Sequence, residues 1–159
     1  MAIALIPGSF DPVTFGHLAI VERVSRQFDQ VVVGAVASPP KGRTLFDAEE
    51  RREMLAEVTA HLPNVAVEVF DGLLADFALA RGAGAIVKGL RAVSDFDYEL
   101  QMAQLNYRLS GVETFFMPTA PEHSFLSSSL VREVARFGGE VSSMVPPEVA
   151  RRLKERYSS

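Results

Sequence analysis

Hydrophobic and polar positions follow two rhythms along this chain. Ile3-Ala4-Leu5-Ile6 and Val31-Val32-Val33-Gly34-Ala35-Val36-Ala37 are unbroken apolar runs, as expected of strands buried on both faces. Val65 to Phe70 alternates instead, with Val65, Val67 and Val69 set against Ala66 and Glu68; Ala85-Ile86-Val87 and Thr114-Phe115-Phe116-Met117 are shorter strand-like runs. Between them apolar residues recur at helical spacing: Leu18, Val21, Val24, Phe28, then Met54, Leu55, Val58 with His61, then Leu73 to Arg81. Further helices are predicted through Leu100, Ala103, Leu105 and Leu109, through Val131, Val134 and Phe137, and from Pro147 to Tyr157.

Turn and capping residues separate these segments. Ser38-Pro39-Pro40 cannot continue a ladder, Asp47 with Glu50 forms a capping box, Gly82 stands where a C-terminal glycine is expected, and Ser94 with Asp97 marks another helix start. Strands alternating with helices imply a parallel sheet. The expected architecture is α/β: one doubly wound, Rossmann-like domain over residues 1–159, with five parallel strands in the order 3-2-1-4-5. That order puts the ends of strands 1 and 4 side by side at a switch point, where such sheets bind ligands. The segments leaving those ends are Ser9 to His17 and Lys88-Gly89-Leu90-Arg91.

Composition narrows the reading. With 48% hydrophobic and 23% charged residues, the 159-residue chain fits an ordinary globular domain. A net charge of −4 disfavours nucleic acid as a partner, so any phosphate-binding charge must be local. The absence of cysteine removes disulfides and thiolate ligands. No basic leader and no apolar run long enough to span a bilayer are visible, so the expected location is the cytoplasm, without membrane association.

The first strand leads into Pro7-Gly8-Ser9-Phe10-Asp11-Pro12-Val13-Thr14-Phe15-Gly16-His17. His17 falls at or beside the first residue of the helix, where unpaired N–H groups attract anions. Lys41, Lys88 and Arg91 are cations at loop and strand ends, and Ser127-Ser128-Ser129 offers hydroxyls and amides at another helix start. Each has a blander reading: Lys41 as a solvated charge, the serines as an N-cap, Asp11 as a turn former, Asp95 and Glu99 as helix-start charges, His61 as a helix-end residue. Their order along one alternating chain favours polyphosphate chemistry, which needs positioning and charge stabilisation more than a nucleophilic side chain. Gly8 to Gly16 does not spell G-x-G-x-x-G, which disfavours a nicotinamide-dependent oxidoreductase.

Gly8-Ser9-Phe10-Asp11-Pro12, Thr14-x-Gly16-His17, Ser38-Pro39-x-Lys41, Gly89-Leu90-Arg91, Asp95-Phe96-Asp97-Tyr98-Glu99 and Ser124-Phe125-x-Ser127-Ser128-Ser129 together resemble the phosphopantetheine adenylyltransferase family. The resemblance covers nearly the whole chain. It implies transfer of AMP from ATP to 4′-phosphopantetheine with Mg²⁺, giving dephospho-coenzyme A and pyrophosphate, by a cytoplasmic homohexamer open to inhibition by coenzyme A. By position it implies that Ser9 touches both substrates and that His17 stabilises the transition state, with Lys41 and Arg91 as further catalytic cations. Phe10, Gly89, Leu90, Arg91, Glu99 and His123, Ser124, Phe125, Leu126, Ser127, Ser128 and Ser129 would bind ATP. Lys41, Leu74 and Lys88 would bind phosphopantetheine. Ser9 stands where Thr is common and Lys88 where Arg is common. No metal-ligand cluster is visible, so Mg²⁺ is expected on the ATP phosphates. The competing expectations are a sister transferase acting on nicotinate mononucleotide or glycerol 3-phosphate, and a non-catalytic nucleotide sensor on the same fold.

Overall fold

A computed structural model of the chain describes residues 1–40, 42–91 and 96–158. The strands are β1 (Ile3–Gly8), β2 (Gln30–Val36), β3 (Val65–Phe70), β4 (Ala85–Leu90) and β5 (Glu113–Pro118). The helices are α1 (Phe15–Ser25), α2 (Ala48–Val58), α3 (Leu74–Ala80), α4 (Phe96–Ser110), α5 (Ser128–Arg136) and α6 (Pro147–Ser158), with a 3-10 turn at Pro121–His123. All strand pairs are parallel, in the order β3-β2-β1-β4-β5, as the sequence predicts.

The unbroken apolar runs are explained by two cores, one on each face of the sheet. Ala4 and Ile6 of β1 face the larger core with Val31, Val33 and Ala35, beneath α1, α2, α5 and α6. Leu5 faces the smaller core with Val32, Ala78, Ile86 and Val112. Successive strand residues point to opposite faces, so a strand covered on both sides carries no polar alternation.

The register holds the feature that makes the site. β1 stays with β2 for its whole length, from Ile3↔Gln30 to Gly8↔Ala35. It pairs with β4 only at Ala4↔Ala85 and Leu5↔Ile86. β4 instead follows β5 out to Leu90↔Pro118. Beyond Ile86 the two halves of the sheet therefore fork apart.

This pairing corrects one expectation. The sequence places the end of the fourth strand at Val87, but Lys88, Gly89 and Leu90 are strand residues, because β5 supplies a ladder for them. Two helices also stop earlier than their periodicity suggests. α1 ends at Ser25, leaving Phe28 to pack on the core from the following loop, and α2 ends at Val58, short of His61. The Asp47–Glu50 capping box forms as expected, each side chain accepting the other's backbone N–H. The predicted start of α4 at Ser94 and Asp95 lies outside the described residues. No helix among the described residues is long and apolar enough to cross a membrane.

Candidate active site

A cleft of about 450 Å³ opens at the fork between β1 and β4. Its first wall is the turn after β1. Phe10 lies in the left-handed region at φ 51°, only 4% exposed, and its ring folds back over Gly8. A Cβ at Gly8 would stand 3.0 Å from that ring, so any side chain there would have to push the ring aside. A strained non-glycine residue of this kind costs of order 1–3 kcal/mol and persists only when its surroundings hold it. Here the holding group is Asp11. It is not merely a turn former: its buried carboxylate accepts the backbone N–H groups of Leu45 at 2.8 Å and Phe46 at 2.9 Å. Arg132 lies 3.6 Å from the same carboxylate and donates to the Asp11 carbonyl at 2.6 Å and to Ser129 Oγ at 3.2 Å.

His17 sits in a capping box at the start of α1. Thr14 is the N-cap, its hydroxyl accepting the His17 N–H at 3.3 Å, while His17 Nδ1 accepts the Thr14 N–H at 3.0 Å. A glutamate or glutamine usually fills this third helical position. With imidazole there, the box fixes the tautomer: Nδ1 is the acceptor, and the neutral ring carries its proton on Nε2. Desolvation, and then the positive charge of Arg91, lower the His17 pKa from 6.5 to about 4. At neutral pH the cleft is therefore lined by an uncharged imidazole with an Nε2–H donor. Phe10 packs against this ring edge-on, with centroids 5.0 Å apart.

The second wall comes from β4, α4 and α5. Lys88 and Glu99 form an ion pair at 2.7 Å. Arg91 donates to the Leu126 carbonyl at 2.6 Å, which ties the end of β4 to the approach to α5. Ser127 is the α5 N-cap and accepts the Leu130 N–H at 3.0 Å; Ser128 donates to the Pro12 carbonyl at 2.8 Å. The serine run thus fastens the amides of a second helix start across the cleft from His17. Gly89 faces Ile20, where a Cβ would approach to 3.2 Å.

The cleft lining brings together Ser9, Phe10, His17, Lys88, Gly89, Arg91, Glu99, Leu126, Ser127, Ser128 and Ser129 from distant parts of the sequence. The expected residues Leu74, Leu90, His123, Ser124 and Phe125 are not part of that lining. His123, Ser124 and Phe125 belong to the 3-10 turn and the chain leading to α5, and the His123 carbonyl accepts the Leu126 N–H at 3.0 Å. The Leu90 carbonyl is taken by the Thr119 N–H at 3.0 Å. Leu74 packs on the smaller core rather than on the cleft, because α3 covers that face of the sheet. Lys41 lies outside the described residues; Pro39, Gly42, Arg43 and Thr44 around it line the cleft. Sequence reasoning missed Arg132, although its place one helical turn after Ser129 was a usable signal. It also missed Thr44 and Thr119, for which no such signal exists.

Two helix N-termini, a fixed neutral imidazole donor and the four cations Arg43, Lys88, Arg91 and Arg132 around a fork in a parallel sheet define an α/β protein built to hold polyphosphate. The chain belongs to the cytidylyltransferase-like family, whose model matches residues 5–134; its class of chemistry is nucleotidyl transfer. Its fold is also that of a protein from Vibrio parahaemolyticus, provisionally described as a nicotinate-nucleotide adenylyltransferase. The TM-score is 0.65 at 18% identity, over 97% of this chain and 99% of that one.

Proposed function

We propose that the protein transfers the adenylyl group of ATP to 4′-phosphopantetheine, giving dephospho-coenzyme A and pyrophosphate. The observation that carries the transfer chemistry is His17 itself, held neutral and in one tautomer beside Arg91, Lys88 and the α5 start. The acceptor is argued from sequence: Thr14 replaces the first His of the related H-x-G-H pattern, and Ser38-Pro39-x-Lys41 and the serine run accompany it.

The reaction is a single in-line displacement. A phosphate oxygen of phosphopantetheine attacks the α-phosphorus of ATP; the new P–O bond forms as the bond to the β-phosphate oxygen breaks, and pyrophosphate leaves with that electron pair. The attacking phosphate is already anionic, so no general base is required. His17 Nε2–H donates to the charge developing on the α-phosphate, as preorganised donors do. Being neutral, it acts as a donor and not as an acid. Lys41, Lys88 and Arg91 offset the repulsion between two anionic substrates, and Ser9 touches both. The Lys88–Glu99 pair holds the Lys88 ammonium at the cleft, ready to exchange its carboxylate for phosphate.

Mg²⁺ belongs to this reading as the companion of ATP. Among the described residues no three His, Asp or Glu side chains group as a metal site, and the cleft carboxylates Asp11 and Glu99 already face Arg132 and Lys88. The ion would be held by phosphate oxygens, where it withdraws charge from the triphosphate. The reading also includes a cytoplasmic homohexamer and inhibition by coenzyme A. Association is supported by α4, where Tyr98, Leu105, Tyr107 and Leu109 are exposed beside Phe115 of the edge strand β5.

The test is pyrophosphate release from ATP and Mg²⁺ with 4′-phosphopantetheine, run beside nicotinate mononucleotide and beside CTP with glycerol 3-phosphate. Release with phosphopantetheine alone, with dephospho-coenzyme A identified by mass, is the expected result. Release only with nicotinate mononucleotide, the acceptor that the Vibrio likeness brings to mind, overturns the substrate and keeps the His17 chemistry. ATP binding without release from any acceptor overturns the enzymatic reading in favour of a sensor.

A further inference from the structure

Arg51 is the most deeply buried charged side chain among the described residues, 1% exposed, on the second turn of α2. Burial pushes its pKa below the ordinary arginine value. A buried arginine is commonly paired with a carboxylate. Here all four hydrogen bonds go to backbone carbonyls: Nη1 to Ser9 at 2.7 Å and to Val36 at 2.9 Å, Nη2 to Ala37 at 3.2 Å, and Nε to Phe46 at 3.1 Å.

Those carbonyls have one thing in common. Ser9 follows the end of β1, Val36 and Ala37 stand at the end of β2, and Phe46 precedes α2. Ala37 and Phe46 are the two roots of the loop over residues 38–45, which carries Lys41 and lends Pro39, Arg43 and Thr44 to the cleft. The same planar fork thus grips both roots of this loop and Ser9, the first residue of the neighbouring turn after β1. Asp11 holds the Phe46 peptide from its other side, through the N–H. A flexible lysine at 51 could not satisfy four carbonyls set in a plane.

We infer that Arg51 is a positioning residue for adenylyl transfer: it fixes Ser9 relative to both roots of the 38–45 loop, and so sets the approach of the acceptor phosphate to the α-phosphorus. This rests on the function proposed above. Displacing one reacting group by about 1 Å can cost 10²-fold in rate. The effect should fall on turnover, because most ATP-facing groups, His17, Arg91 and the α5 start, hang on other elements.

The experiment compares wild type with Arg51→Lys and Arg51→Gln. It measures turnover per folded molecule, KM for phosphopantetheine, calorimetric affinity for ATP without acceptor, and thermal midpoint. The expected result is folded Arg51→Lys with turnover down about 10²-fold and ATP affinity within about 3-fold of wild type. A lower midpoint with unchanged turnover per folded molecule makes Arg51 a structural brace and overturns the inference, as does failure of both variants to fold. Equal weakening of ATP affinity and turnover also overturns it. Absence of turnover in wild type with every acceptor brings down the proposed function itself, an outcome distinct from an active wild type with an equally active, folded variant.

Discussion

Two substitutions at His17 separate the jobs that this side chain does. Its Nδ1 closes the capping box on the Thr14 N–H, and its Nε2–H is offered to the cleft. Asparagine is shorter, but its Oδ1 falls close to the place of Nδ1. His17→Asn therefore keeps an acceptor for Thr14 while removing the donor. Alanine removes both. Thr14 is 2% exposed, so its N–H, left without a partner, costs about 1–3 kcal/mol. Loss of one preorganised donor to a developing oxyanion costs about 10²–10³ in turnover, or roughly 2.7–4 kcal/mol of barrier. The expected outcome is a turnover loss of about 10²–10³ in both variants. Only His17→Ala should lose stability by about 1–3 kcal/mol. Pyrophosphate release at saturating ATP and acceptor, together with denaturant melts, reads both quantities. If His17→Asn keeps turnover within about 5-fold, the donor role assigned by analogy with oxyanion sites is wrong. If His17→Ala melts with wild type, the box contributes nothing.

Further outcomes follow from the same geometry. Because folding lowers the His17 pKa from 6.5 to about 4, the unfolded chain binds a proton that the folded chain refuses between those values. Stability is full above about pH 6.5 and falls as the pH drops toward 4, by at most about 1.4 kcal/mol per unit; a folded-state imidazole titrating near 6.5 by NMR would contradict this. Gly34→Ala sets a Cβ 2.8 Å from Phe77 and 3.2 Å from Phe70, two rings stacked at 4.7 Å, so the pair must shift to admit it. It should cost about 1–3 kcal/mol in denaturant melts and leave turnover at 25 °C unchanged. Tyr107→Glu on the exposed side of α4 should lower the native mass measured by light scattering; an unchanged mass removes that face from the proposed assembly.

The strands were legible because a sheet with two cores erases polar alternation, and β1, β2 and β4 announce themselves as apolar runs. Helix ends were less legible. Periodicity carried α1 to Phe28 and α2 to His61, yet both residues lie past the last helical turn, one packing on the core from a loop and the other pairing with Glu22. A side chain can sit near a helical stripe without belonging to the helix, and spacing alone does not distinguish the two. Asp11 reads locally as a turn, and only its partners 34 and 35 residues away show it to be a brace.

By itself the sequence determined the alternation of strands and helices, the order of the sheet, and the loops that meet at its switch point. These depend on burial and turn chemistry, which are written locally. The tertiary structure alone decided where β1 and β4 part, because that depends on which neighbour completes each ladder. It also decided the tautomer and charge of His17, since these follow from one backbone N–H and from the partial desolvation of the ring beside Arg91. Arg51 belongs to the same category. In the sequence it is one more charge in a polar helix, and its role exists only because four carbonyls, from the end of β2 and from the loops after β1 and before α2, converge on it.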